Sequence, residues 1–159
     1  MNPNSICEKT NCRQLVFAIL IPLAVGTLSA WLTKDSMMAF ASVRQSALTP
    51  PAWLFPLVWT ILYILMGTAS YLIYQKAPSS NAILFYALQL FFNFFWSIWF
   101  FNCGWYLFSF FWLLCLWILI LFTILSFYKI SKPAAYLLLP YLLWVTFAGY
   151  LNLMVYLLN

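Results

Sequence analysis

Residues 48–63 read LTPPAWLFPLVWTILY, and the fold turns on how three prolines and two tryptophans can stand at the mouth of an otherwise apolar run. The stretch sits in a block with no Asp, Glu, Lys or Arg between Arg44 and Lys76. Two more such blocks lie between Lys76 and Lys129 and from Lys132 to Asn159. Over all 159 residues, 67% are hydrophobic and 6% charged, with a mean hydropathy of +0.97. A soluble domain carries roughly a quarter charged residues, so the chain reads as an integral membrane protein. A spanning helix needs about 20 apolar residues. Pro, Gly, Ser and Lys breaks divide the sequence into 15–33, 53–74, 82–102, 106–128 and 134–157, five spans in one domain covering 1–159. In hydrocarbon only helices and closed barrels satisfy the backbone, and these runs lack the alternation of barrel strands. The fold class is therefore an all-α bundle of five transmembrane helices.

Within the opening stretch, Thr49 is a fair N-cap, and Pro50 and Pro51 suit the first helical positions, where their missing amides would be unpaired anyway. Pro56, seven residues past that cap, is expected to leave the Ala52 carbonyl without a donor and to kink the helix. Trp53 fits an interfacial anchor. Trp59 lies about 9 Å deeper, and the reading places it at a protein-lined or partly wet cavity. The connection before it, KDSMMAFASVRQSALTPPA at 34–52, is too long for a simple turn and is expected to act as a lid. Met37, Met38, Phe40, Ala41 and Val43 suit a short amphipathic turn lying on the bundle.

The net charge of +5 comes from cations scattered singly at span ends, a pattern of membrane orientation and not of nucleic-acid binding. Five spans put Lys9, Arg13, Lys76, Lys129 and Lys132 on one side and Lys34 and Arg44 on the other. The excess of positive charge then places the N-terminus in the cytoplasm, with a bacterial cytoplasmic membrane as the expected location. Lys9 and Arg13 before an apolar run also resemble a signal peptide, but the run's length and its small residues Gly26, Thr27, Ser29 and Ala30 favour a retained span. Cys7, Cys12, Cys103 and Cys115 match no common zinc spacing, and the chain has no histidine, so no metal site is expected.

Helical spacing aligns Trp59, Tyr63, Met66 and Ser70 on span two, Gln89, Asn93, Trp96 and Phe100 on span three, and Tyr141, Trp144, Ala148 and Asn152 on span five. Gly67, Thr68 and Ala69 let a neighbouring helix approach closely. Amides at membrane depth turn inward, because an unpaired polar group in lipid costs several kcal/mol. Spacing alone leaves two readings level. Either Asn93 and Asn152 are interhelical glue among core aromatics, or the indole and phenol faces line a slot for a flat apolar ligand.

Three segments tip this balance. PPAWLFPLVWTILYILMGTASYLIY at 50–74, QLFFNFFW at 89–96 and LLLPYLLWVTFAGYLN at 137–152 resemble, in order and spacing, motifs of the translocator protein or tryptophan-rich sensory protein family (TspO/MBR, peripheral benzodiazepine receptor). The resemblance runs from about residue 15 to the end. It implies a five-helix bundle, commonly a homodimer, with a pocket closed by the loop after helix one. The ligands it implies are porphyrins, notably protoporphyrin IX, together with sterols and synthetic isoquinoline or benzodiazepine drugs.

By position, the family's pocket residues correspond to Trp59, Trp96, Trp105 and Trp144, with Asn93, Ala148 and Asn152 also on family positions; Tyr63 joins them on the span-two stripe. Leu48 stands where the family often has a tryptophan. The basic residue of the animal sterol pattern is absent from YLNLMVYLLN, and the loose matches LIYQK and LSFYKISK arise wherever an apolar helix meets a basic interface. On this reading a tetrapyrrole enters beneath the loop and stacks among Trp59, Trp96 and Trp144, its propionates near Lys34 or Arg44. Without histidine the usual axial iron ligand is missing, so metal-free porphyrin is expected as a ligand and no cofactor is implied. No carboxylate, histidine or thiol cluster supports acid–base or nucleophilic chemistry. Binding, sensing or transport is thus preferred to catalysis, with light- and oxygen-dependent porphyrin degradation, or a purely structural or partner-binding role, as the alternatives.

Overall fold

The computed structural model describes residues 3–159, with side chains from Cys12 onward, so the side chains of Cys7 and Lys9 lie outside the described residues. Six helices follow one another: α1 (Pro3–Phe40), α2 (Leu54–Lys76), α3 (Asn81–Ser97), which runs on into a π-helical turn at Ile98–Asn102, α4 (Tyr106–Ile130), α5 (Lys132–Tyr136) and α6 (Leu139–Leu158). No strand occurs among the described residues. Because α5 and α6 together form one crossing, five segments are long and apolar enough to span a membrane. Backbone contacts join α1 to α2, α2 to α5, α5 and α6 to α4, α4 to α3, and α3 back to α1. The result is a ring in which every helix lends one face to a shared interior.

Two boundaries differ from those read in the sequence. The first helix does not end near Thr33 but continues through KDSMMAF to Phe40, since nothing in that segment breaks a helix. The long connection is therefore 41–53, and Lys34, Met37 and Met38 ride exposed on the last turns of α1. Phe40 anchors this end, its ring 5.1 Å from Phe100 and 5.2 Å from Phe101. The second helix starts at Leu54, after turns in which the Thr49 amide bonds to the Ser46 carbonyl and the Leu54 amide to the Pro51 carbonyl, both at 2.9 Å. Pro56 then falls in the first turn, where its amide would have had no partner. The expected kink, the Ala52 orphan and the Thr49 cap all give way to this later start, which avoids the roughly 3 kcal/mol cost of an interior proline. A break does occur in the fifth crossing at 137–138, where Pro140 cannot donate to the Tyr136 carbonyl and the Leu138 amide tightens onto Ala135 at 3.1 Å.

Small residues set how near α1 and α2 come. Pro22 lies inside α1 and has no amide to offer the Ala18 carbonyl. Gly67 of α2 packs against that exposed stretch: a methyl on it would meet the Ile19 backbone and lie 2.7 Å from the Ala18 oxygen. Two turns along, Gly26 of α1 receives the Tyr63 ring, which would collide with any added side chain. Gly104, at φ +65°, ends the π-helical turn in a conformation that glycine adopts without strain and redirects the chain into α4.

The 41–53 connection is strapped to the far end of α6. The Asn159 side chain accepts from the Arg44 amide at 3.1 Å and donates to the Arg44 carbonyl at 2.9 Å, while the hydroxyls of Ser46 and Tyr150 share a hydrogen bond at 3.1 Å. The connection thus lies across the end of the bundle to which the π-helical turn, α4 and α6 bring Phe100, Tyr106 and Val155.

Candidate functional site

The interior is organised by a run of hydrogen bonds that begins and ends on α2. Tyr63 Oη donates to Asn93 Oδ1 at 2.9 Å, Asn93 Nδ2 to Tyr141 Oη at 2.9 Å, Tyr141 Oη to Gln89 Oε1 at 2.8 Å, and Gln89 Nε2 faces Met66 Sδ at 3.8 Å. All five residues are buried. Gly26 seats the first ring, and α3 and α6 supply the three residues between Tyr63 and Met66, so the sequence stripes of three helices meet at this level. Such bonds between membrane helices are worth about 0.6–2 kcal/mol each. Nearer the 41–53 end a second junction forms, where Trp96 Nε1 donates to Asn152 Oδ1 at 3.2 Å and Asn152 Nδ2 to the Tyr106 carbonyl at 2.8 Å. Phe100 stacks on Trp96 at 5.4 Å.

The structure therefore separates the residues singled out from the sequence into groups. Tyr63 and Asn93 are bonded to each other, with Trp59 stacked on Tyr63 at 5.6 Å and set edgewise to Tyr141 at 6.2 Å. Trp96 and Asn152 form the second junction, and Ala148 is buried one turn from Asn152. Trp144 stands at the boundary between α2 and α6, its ring 5.9 Å from Phe55. Trp105 lies apart from these: it is 55% exposed, stacks parallel on Trp99 at 5.7 Å, and borders a different groove with Phe108, Tyr156 and Asn159. Lys34 and Arg44 are both exposed at the 41–53 end.

The expected slot between the indoles is occupied by the side chains' own hydrogen-bonded network. Open space lies at its edge instead, in an apolar groove of about 400 Å³ between α2 and α6, lined by Val58, Ile61, Leu62 and Leu65 on one side and Pro140, Leu143, Trp144 and Phe147 on the other. The backbones of α2 and α6 do not approach closely, because Trp59, Tyr141 and Trp144 stand between them. The Trp144 indole nitrogen is buried and finds no acceptor among the described residues. The indoles of Trp112 and Trp117, by contrast, are bonded at 2.8 Å to the Phe92 carbonyl and to Thr146. Tyr141 and Gln89 were visible on the stripes but not as hubs, since spacing gives a residue's face and not which neighbour its polar atom meets. Among the described residues no group of three His, Cys, Asp or Glu side chains comes together; the site offers indole and phenol rings, amides and hydroxyls.

A polytopic helical membrane protein with an aromatic, charge-free interior is the class that this fold and site define. The chain belongs to the TspO/MBR family, whose model matches residues 18–157. It is 39% identical over 150 residues to the tryptophan-rich protein TspO of Chlorobaculum tepidum, covering 91% of this chain and 95% of that one. It is 37% identical over 129 residues to a tryptophan-rich sensory protein of Cereibacter sphaeroides (81% and 80% covered) and 35% identical over 142 residues to the translocator protein of Bos taurus (84% and 82% covered).

Proposed function

We propose that this protein is a membrane receptor or carrier for flat, largely apolar molecules of the porphyrin class, protoporphyrin IX foremost, which enter at the boundary of α2 and α6. The observation that carries this reading is an apolar groove between α2 and α6 that the half-buried Trp144 lines, its indole donor without an acceptor among the described residues, with the half-buried Trp59 on α2 stacked on Tyr63 and edgewise to Tyr141 of α6. Aromatic walls with a few polar groups suit a flat ligand. The ring system slides between α2 and α6, and its propionates stay towards Val58 and Phe147, the end nearer the connection, where Lys34 and Arg44 supply cations. The words "sensory" and "translocator" in the relatives' names support detection or carriage. The N-terminus lies in the cytoplasm, consistent with Arg13, Lys76, Lys129 and Lys132 at its end of the bundle.

The test is tryptophan fluorescence during titration of protoporphyrin IX into detergent-solubilised protein, for the wild type, Trp59→Ala and Trp144→Ala. Both variants should lose about tenfold or more in affinity, the scale of one lost aromatic contact of 1.4 kcal/mol. Wild-type affinity in both removes the groove as the site. Reduced thermal stability in both, with no quenching even in the wild type, returns the aromatics to a structural role. Mass analysis of the bound pigment in darkness and after illumination separates binding from photochemical breakdown.

A further inference from the structure

The opposite end of the bundle carries cations that the porphyrin reading does not use. Lys129 lies in the last turn of α4 and Lys132 begins α5, and α5 packs on both α4 and α2. Asp35, the one acidic residue whose side chain is described, lies at the other end of the molecule. Helix stability accounts for Lys129, which meets the partial negative charge of a C-terminus, but not for Lys132, which stands at a helix start. The Lys132 ammonium is held 5.5 Å from the centre of the Tyr128 ring, and Tyr136 meets the same ring edgewise at 6.1 Å. Both phenols are exposed, at 44% and 56%. On the same face of α4, Leu125 and Phe122 are also exposed, about 6 and 10 Å deeper than Lys129 at the helical rise. Two ammonium groups and two phenols at headgroup depth, above an outward apolar stripe, match the shape and charge of an anionic phospholipid.

We propose that the α4–α5 corner is a binding site for an anionic phospholipid, its phosphate between Lys129 and Lys132 and an acyl chain along Leu125 and Phe122. A juxtamembrane cation contributes about fivefold to affinity for an anionic lipid, so removing both costs about 25-fold. The experiment uses the full chain in neutral detergent, with thermal unfolding and native mass spectrometry during titration of phosphatidylglycerol, phosphatidylcholine with identical chains, or inorganic phosphate. Phosphatidylglycerol alone should raise the melting temperature and survive as an adduct. Lys129→Gln/Lys132→Gln should need about 25-fold more of it, Lys129→Arg/Lys132→Arg should not, and all three proteins should melt alike in phosphatidylcholine. Should the double glutamine variant not fold, Lys132→Gln alone should show about a fivefold weakening. An equal response to phosphatidylglycerol in wild type and glutamine variants overturns the site. An equal response of the wild type to phosphatidylcholine overturns the charge assignment, and one to inorganic phosphate overturns the lipid.

Discussion

Helix α2 makes two lateral boundaries that obey opposite rules. Towards α1 the contact residues are glycines: Gly67 lies so close to the Ile19 backbone, and Gly26 so close to the Tyr63 ring, that neither has room for a methyl group. Towards α6 they are Trp59, Tyr141 and Trp144, and the backbones stand apart with a groove between them. Lipid chains are as apolar as leucine, so no hydrophobic drive pulls membrane helices together, and packing geometry decides. Where side chains are absent, dispersion contacts between backbones seal the boundary; where they are large and flat, contact passes through rings that a third flat body could join. One helix thus serves as fixed wall on one side and as groove wall on the other, according to which residues face each neighbour.

The largest expected effect tests the sealed side. Gly67→Leu drives a bulky side chain into the Ile19 backbone, and overpacking of this kind costs 1–3 kcal/mol or more; thermal unfolding in detergent should show a loss of about 3 kcal/mol or a failure to accumulate. A variant as stable as the wild type would mean that the boundary can part. Gly26→Ala should lose about 2 kcal/mol by displacing Tyr63, and adding Tyr63→Ala should recover part of it as a coupling of about 0.5–3 kcal/mol. Additive losses would separate the two residues. Asn93→Ala removes the amide between two buried phenols and should cost about 1–2 kcal/mol, read from the same melts. Asn159→Ala frees the strap at a cost under about 1.5 kcal/mol; its signature is faster amide exchange within 41–53, and unchanged exchange there would deny the strap. Smallest in stability, within about 0.5 kcal/mol, is Leu143→Trp, which fills the open side. It should nevertheless weaken protoporphyrin quenching, and undiminished quenching would move the ligand elsewhere.

How much of this was legible in the sequence varied with the physics involved. The crossings could be read because hydrocarbon excludes charge, and Lys76, Lys129 and Lys132 punctuate the chain at the right intervals. The stripes carrying Tyr63, Asn93, Tyr141 and Asn152 followed from helical period and the cost of amides in lipid. The end of α1 was missed because KDSMMAF looks like a loop by polarity yet contains no breaker. Pro56 was misjudged because a proline's cost depends on where the helix starts, which the turn through Pro51 decides. The closed state of the interior was beyond reach: whether inward aromatics surround a cavity or fill it depends on which polar atom finds which partner, and Trp105 shows that a shared position in the sequence does not ensure a shared pocket.

Every formal charge with a described side chain sits at an end of the bundle. The boundary between α2 and α6 therefore holds no charge within the span, so a sideways separation of the two helices would move none through the electric field. An anionic cargo crossing the bilayer would instead carry the whole voltage dependence itself, about 2.3 kcal/mol per charge for each 100 mV. On the proposed carrier function, the voltage dependence therefore belongs to the cargo and not to the helices.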